Sequence, residues 1–473
     1  MALPSDTDIA LASKLKPLTE VAADMGIGAH LLEPYGDAVA KIKLTAIDEL
    51  AARPKAKYVL VSAITPTPLG EGKTTTLVGL GQAFRHIGRS ATVAIRQPSL
   101  GPTFGIKGGA AGGGYSQVVP MDLLNLHLTG DFHAVTAANN MLAAMVDNHL
   151  FHGNQLGLDP HQITWRRALD INDRALRNIV IGLGGDKDGM PRQTGFDITA
   201  ASEVMAMLAL CTSVDDLRAR LARTVVGYTR SGEPVTAAEL KADGAMMAIL
   251  RDAVKPNLLQ TLENTPVLVH AGPFGNIATG NSSVLADLLG IHTGDFLLTE
   301  AGFGADMGAE RFFDIKCRVS GLRPDAAVVV ATVRALKAHS GKYRIVAGKP
   351  LPPALLAENP EDVHLGAANL RKQVENIQAF GVPAVVAINA FPTDHPSEWA
   401  AIADIAAQLH VPAVVSHHFS AGGLGAAELA EAVAEAAEQP SAFAPLYTDA
   451  TPLREKIETV ARRIYGAQDV SYT

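Results

Sequence analysis

Along this chain, short runs of consecutive apolar and β-branched residues alternate with longer stretches whose apolar positions recur every three or four residues. The short runs read as strands buried on both faces, and the longer stretches as helices packed over them. Candidate strands are Tyr58–Ala63, Ala91–Ile95, Asn178–Leu183, Val267–His270, Phe296–Thr299, Ala326–Thr332, Ala384–Asn389 and Pro412–Ser416. Helical periodicity covers residues 131–150, Ala200–Leu210, Ala237–Ala253, Leu365–Phe380, Pro396–Gln408 and Ala426–Gln439. A further helix opens at Lys73-Thr74-Thr75 and runs through Leu77, Leu80 and Phe84. The alternation, with no repeat of fixed period, predicts an α/β protein with doubly wound parallel sheets. Residues 1–57 alternate short helical patterns with the breakers Gly26, Gly28, Pro34 and Gly36 and lead into the first strand. The proline-rich stretch 347–353 marks a boundary. It divides a nucleotide-binding major domain, 1–345, with an inserted subdomain at about 105–215, from a C-terminal α/β domain, 346–473.

Bulk numbers change the picture little. A chain of 473 residues exceeds one core, so two or three domains are expected. Apolar residues make up 48 % and aromatics 5 %, a mix suited to helices on buried parallel strands. The net charge is −8 and no Lys/Arg cluster tracks a phosphate backbone, so nucleic acid is not an expected partner. Two cysteines, Cys211 and Cys317, suit a reducing compartment. No apolar run approaches spanning length, and the N-terminal residues lack the basic-then-apolar layout of a secretion signal. The expectation is a cytoplasmic protein without a membrane partner.

Candidate chemistry gathers just past the strands, where α/β sheets bind ligands. After Tyr58–Ala63 the chain reads TPTPLGEGKTTT: a strand, a glycine loop, Gly-Lys-Thr and a helix. Backbone N–H groups of such a loop face an anion, Lys73 supplies a point charge, and Thr74 offers a hydroxyl to Mg²⁺. Thr67 stands where the usual phosphate-loop pattern begins with glycine, which suits an ordinary strand-to-helix turn as well, but the flanking strand and helix favour the phosphate loop. The reading is a P-loop NTPase-like nucleotide site over Thr67, Pro68, Leu69, Gly70, Glu71, Gly72, Lys73, Thr74 and Thr75. Arg96 follows the second strand as a second cation for the same phosphate, beside Gln97, Pro98 and Ser99. The glycine-dense segment Gly101–Tyr115 reads as a binding loop rather than a linker, given Phe104, Ile106 and Tyr115 within it. His133, His149 and His152 lack a matching Cys or carboxylate at zinc spacing and read as polar or site-lining residues. Phe303 and Phe391 sit just past strands, where core packing and a ligand platform compete evenly. From the residues alone this is a nucleotide-dependent phosphoryl-transfer enzyme or switch with an extra pocket, its substrate unnamed.

The stretches TPTPLGEGKTTT, RQPSLGPTFGIKGGAAGGGYSQVVPMDLLNLHLTGDFHAVTAANN, QTGFDITAASEVMA, TEAGFGADMGAERFFDIKCR, VATVRALK and VVAINAFPTD, in that order, closely resemble the formate–tetrahydrofolate ligase family. The resemblance runs from about Leu32 to Thr473. It implies that formate, ATP and tetrahydrofolate give 10-formyltetrahydrofolate, ADP and phosphate through formyl phosphate. It further implies that residues 67–75 hold Mg-ATP, with Thr74 toward Mg²⁺, and that Lys73, Arg96 and Gln97 hold formyl phosphate, Lys73 and Arg96 being catalytic. Phe303, Phe391 and Phe419 would wall the folate. A homotetramer and a monovalent cation are implied as well. Departures from the family pattern are Phe419 for a frequent tryptophan, Ala421 for a common lysine, Thr279 for a histidine, a shortened 286–296 segment and an earlier end at Thr473. These departures motivate a second reading, an ATP-binding relative acting as scaffold or regulator. A third is a P-loop ATPase switch, against which the length of the resemblance weighs.

Overall fold

The computed structural model describes residues 4–105, 111–346 and 348–473. Twelve strands share its main sheet. In chain order they are β1 (Leu32–Tyr35), β2 (Val39–Ile42), β3 (Lys57–Ala63), β4 (Ala91–Ile95), β5 (Gly112–Gly113), β6 (Ser116–Val119), β7 (Asn257–Thr261), β8 (Pro266–Val269), β9 (Phe296–Glu300), β10 (Ala326–Ala331), β11 (Ala384–Asn389) and β12 (Ala413–Ser416). Their spatial order is β1-β2-β7-β8-β4-β9-β3-β10-β11-β12, with β6 on β7 and β5 on β6. From β8 to β12 every neighbouring pair is parallel. The β1, β2, β7 and β6 pairings are antiparallel. The architecture is thus mixed α/β, with one large, mostly parallel sheet and an antiparallel edge in place of the purely parallel sheets expected from the sequence.

The parallel part forms where the sequence is continuously apolar, because helices cover both faces. Alternate residues of β3 point to opposite sides: Leu60 joins one core with Val329, Leu370 and Ile402, while Val59 and Val61 join another with Leu77, Leu80 and Leu429. Helix α1 (Lys73–His86) lies in the second core. The antiparallel strands escaped the periodicity reading because they carry polar side chains. Lys41 in β2 is buried, yet its Nζ donates to Asp131 Oδ1 at 2.8 Å and Lys255 O at 3.1 Å. Asn257 in β7 donates to Asp131 Oδ2 at 2.7 Å, and Gln260 exchanges hydrogen bonds with the backbone of Lys16. Satisfied in this way, polar residues can be buried at small net cost.

A third core, from Phe132 to Val254 with Ala271 and Leu285, is largely helical. Within that part, Ile179–Ile181 pairs antiparallel with Arg192–Thr194 in a two-stranded ribbon, so the candidate strand 178–183 is no member of the main sheet. Beyond residue 346, β11 and β12 extend the main sheet, and Phe443 and Ile464 share the core of Leu60. Among the described residues no helix is long and apolar enough to cross a membrane.

Candidate functional site

The glycine loop between β3 and α1 is shaped by two left-handed residues, Gly70 (φ 71°) and Gly72 (φ 75°). At Gly72 glycine is required twice over. A side chain would be strained by the backbone, and its Cβ would meet Asn389 Nδ2 at 2.5 Å. That same Nδ2, at the end of β11, donates to Glu71 O at 3.0 Å. Glu71 turns inward: its Oε1 accepts from Thr67 N at 2.8 Å and from Thr67 Oγ1 at 3.0 Å, and Leu69 N donates to Thr67 Oγ1 at 3.3 Å. An acid inside the loop thus fixes the threonine that replaces the pattern's first glycine. Pro68 and Gly70 are exposed, while Lys73, Thr74 and Thr75 form the half-buried first turn of α1. A helix's first turn carries N–H groups and a dipole end that favour an anion.

The neighbouring strand ends converge on this turn. Thr74 Oγ1 donates to Glu300 Oε2 at 2.7 Å, Glu300 being the last residue of β9. Lys73 lies close enough to Asp306 to favour its charged form, against a larger opposing effect of burial that raises the Asp306 carboxyl. Asp306 Oδ1 is buried without a hydrogen-bond partner. It belongs to one of two successive π-helical turns, Ala305–Ala309 and Phe312–Lys316, a geometry frequent at functional sites.

Arg96 follows β4. Its Nη1 donates to Pro273 O at 3.1 Å, its Nε is buried without a partner, and a Cβ on Gly302 would stand 3.3 Å from Nη2. Gln97 is 2 % exposed, yet neither end of its amide has a partner. The buried Thr279 Oγ1, Asn281 Oδ1 and Ser282 Oγ are likewise unpartnered, although Asn281 Nδ2 donates to Glu300 O at 3.0 Å and Gly302 N to Gly280 O at 3.0 Å. Buried polar atoms are normally satisfied, so a concentration of orphans at these strand ends marks a place built for a polar ligand.

The three phenylalanines differ in their neighbours. Phe303 holds a left-handed backbone (φ 63°), rare for an aromatic, and its ring would sit 2.9 Å from a Cβ on Gly275. Phe391 is faced by Arg334, whose guanidinium carbon stands 3.6 Å from the ring centroid. Phe419 is 38 % exposed and packs on the glycine-dense segment: a Cβ on Gly113 would meet its ring at 3.1 Å, and Tyr115 N donates to its carbonyl at 2.8 Å. Ile106, within that segment, lies outside the described residues. Next to Phe419, His418 is buried between Ser416 Oγ (2.8 Å) and Thr76 Oγ1 (3.3 Å), and burial pulls its pKa down to about 4. Of the histidines singled out, His133 meets His127 at 2.8 Å and His149 accepts from Leu156 N at 3.2 Å. Sequence reasoning gave no role to Glu300, Asp306, Asn389 or Arg334. Their one signal was position, at or after the carboxyl end of a strand, since a single carboxylate or amide has no spacing to recognise.

A family model described as formate–tetrahydrofolate ligase matches residues 4–473. The chain is 70 % identical to the formate–tetrahydrofolate ligase of Saccharopolyspora erythraea, the match covering 100 % of this chain and 84 % of that one. It is 66 % identical to formate–tetrahydrofolate ligase 1 of Rubrobacter xylanophilus and 60 % identical to that ligase of Cutibacterium acnes, each over 99 % of this chain and 83 % of the relative.

Proposed function

The chain belongs to the formate–tetrahydrofolate ligase family, and from that membership and the site's geometry we propose that it joins formate to tetrahydrofolate with cleavage of ATP. The observation that carries this reading is the meeting of four strand ends around one polar nest. The glycine loop and Lys73 follow β3, Arg96 follows β4, Glu300 ends β9, and Asn389 ends β11.

In this reading the loop is P-loop-like. Residues 67–75 hold the ATP phosphates, and Lys73 meets oxygens of the β- and γ-phosphates. The divalent ion that accompanies ATP supplies charge neutralisation on the phosphates. Thr74 and Glu300 would hold it, since a hydroxyl and a carboxylate already 2.7 Å apart are the oxygen donors that Mg²⁺ prefers. A formate oxygen attacks the γ-phosphorus, the bond to the bridging oxygen breaks, and ADP departs, leaving formyl phosphate. Charge spreads over the transferring group, so preorganised cations are most of what the step needs. Arg96 answers that need, with its orphaned Nε beside the empty-handed amide of Gln97. The folate N10 amine then attacks the formyl carbon, the C–O bond to phosphate breaks, and the amine proton leaves with phosphate. One hard acylation is thereby split into two easier steps. Phe303, Phe391 and Phe419 offer flat apolar faces to the pterin.

Product analysis tests the proposal. Incubation with ATP, formate and tetrahydrofolate is expected to yield a formylated folate and ADP only when all three are present. ADP release that ignores formate and folate would assign the chain to an ATPase switch instead. Intact ATP binding with no turnover would make it a scaffold.

A further inference from the structure

Between the glycine loop and Phe391 stands a cation that the chemistry above does not use. Arg334 lies just past β10, in the first turn of helix Val333–His339, whose start is capped by Thr332 Oγ1 accepting from Ala335 N at 3.1 Å. Its guanidinium carbon is 3.6 Å from the Phe391 ring centroid, the distance of a flat stack. From the same group, Nη2 reaches Gly70 O at 3.4 Å, and Nε is buried with no hydrogen-bond partner. Burial lowers its pKa, against the smaller opposing pull of the Asp394 and Glu71 carboxylates. Asp394 also holds the turn that carries the ring, accepting from Phe391 N at 2.9 Å and from Trp399 Nε1 at 3.3 Å.

One rigid plate therefore touches both the loop and the aromatic wall. A guanidinium donates in its plane and stacks through its face, so a shift of the Gly70 carbonyl tilts the surface on which Phe391 rests. Gly70 sits in the left-handed region of the loop, which in the ligase reading holds the phosphates. We propose that Arg334 is a positioning residue that links the nucleotide loop to the pterin wall, so that filling either site tightens the other. The identity of the two ligands rests on the ligase reading. The link itself is a property of the Gly70–Arg334–Phe391 contacts. Any such coupling must be reciprocal.

The test is equilibrium binding of tetrahydrofolate to the full chain, anaerobically, with and without a saturating β,γ-imido analogue of ATP. The ratio of the two Kd values is the readout, because it is insensitive to how far either binary affinity moves. In the unsubstituted chain the analogue is expected to tighten folate binding by roughly fivefold or more. In Arg334→Ala the ratio is expected to fall below about twofold. Arg334→Lys keeps the charge but not the plate, and is expected to lose the coupling as fully. The variant proteins' unfolding temperatures report whether the fold is intact. If Arg334→Ala fails to fold, the lysine variant decides alone. A ratio near one in the unsubstituted chain, or an undiminished ratio in a folded variant, overturns the inference while leaving the ligase reading in place. Failure of the unsubstituted chain to bind either ligand overturns both.

Discussion

At the scale of single residues, the site rests on charges placed at strand ends. Arg96→Ala gives up the hydrogen bond from Nη1 to Pro273 O but no partner of Nε, so it should disturb the fold less than the bound anion. ATP binding is expected to survive, while formate-dependent turnover falls by roughly 100-fold or more, the scale for losing one preorganised donor. Unchanged formate-dependent rates would remove Arg96 from the reaction. His418 gives a second prediction, in pH. Buried between Ser416 and Thr76, it takes a proton only near 4, whereas the unfolded histidine does so near 6.5. Between those values the unfolded state binds more protons, so this residue makes stability fall as pH falls, by at most about 1.4 kcal/mol per pH unit. The buried carboxyls of Glu310 (about 7) and Asp314 (about 6) act with the opposite sign, which is why a comparison isolates the histidine. Relative to His418→Gln, the unsubstituted chain should lose unfolding temperature between pH 6.5 and 4. Parallel pH profiles would refute the shift. Lys73, Arg96 and the loop were legible because a strand, glycines and a cation form a pattern. Glu300, Asp306 and Arg334 were not, because each acts through a partner distant in sequence.

At the scale of elements, the loop is held from outside as much as from within. Asn389, the last residue of β11, donates to the Glu71 carbonyl and fills the space beside Gly72, whose left-handed backbone already disfavours a side chain. Asn389→Ala strands that buried carbonyl, which costs about 1–3 kcal/mol. Expressed in the loop, this raises the KM for ATP by roughly tenfold, with kcat less affected. An unchanged KM for ATP would show that the loop holds its shape alone. Strands rich in Val, Ile and Leu were readable in the sequence, and β4 and β11 match their expected limits. Strands β2 and β7 were not readable. Their Lys41, Asn257 and Gln260 look like loop residues until Asp131 and the Lys16 backbone supply their hydrogen bonds. Packing explains Gly114, where a Cβ would fall 2.1 Å from the Phe419 carbonyl oxygen.

At the scale of the whole molecule, one sheet carries the site and both ends of the chain feed it. The strand–helix alternation revealed the class of fold. Strand order did not follow from it, because β3 is flanked by β9 and β10, more than two hundred residues away in sequence, and no local pattern encodes that pairing. This non-local arrangement sets the glycine loop, Arg96 and Phe391 along a single edge. The most direct measurement of what that edge does is the fate of formate's oxygen. With ¹⁸O-labelled formate, ATP and tetrahydrofolate, transfer through formyl phosphate delivers one ¹⁸O into each phosphate released. Phosphate free of label, alongside formylated folate, would contradict the formyl phosphate route and the shared anion site of Lys73 and Arg96 with it.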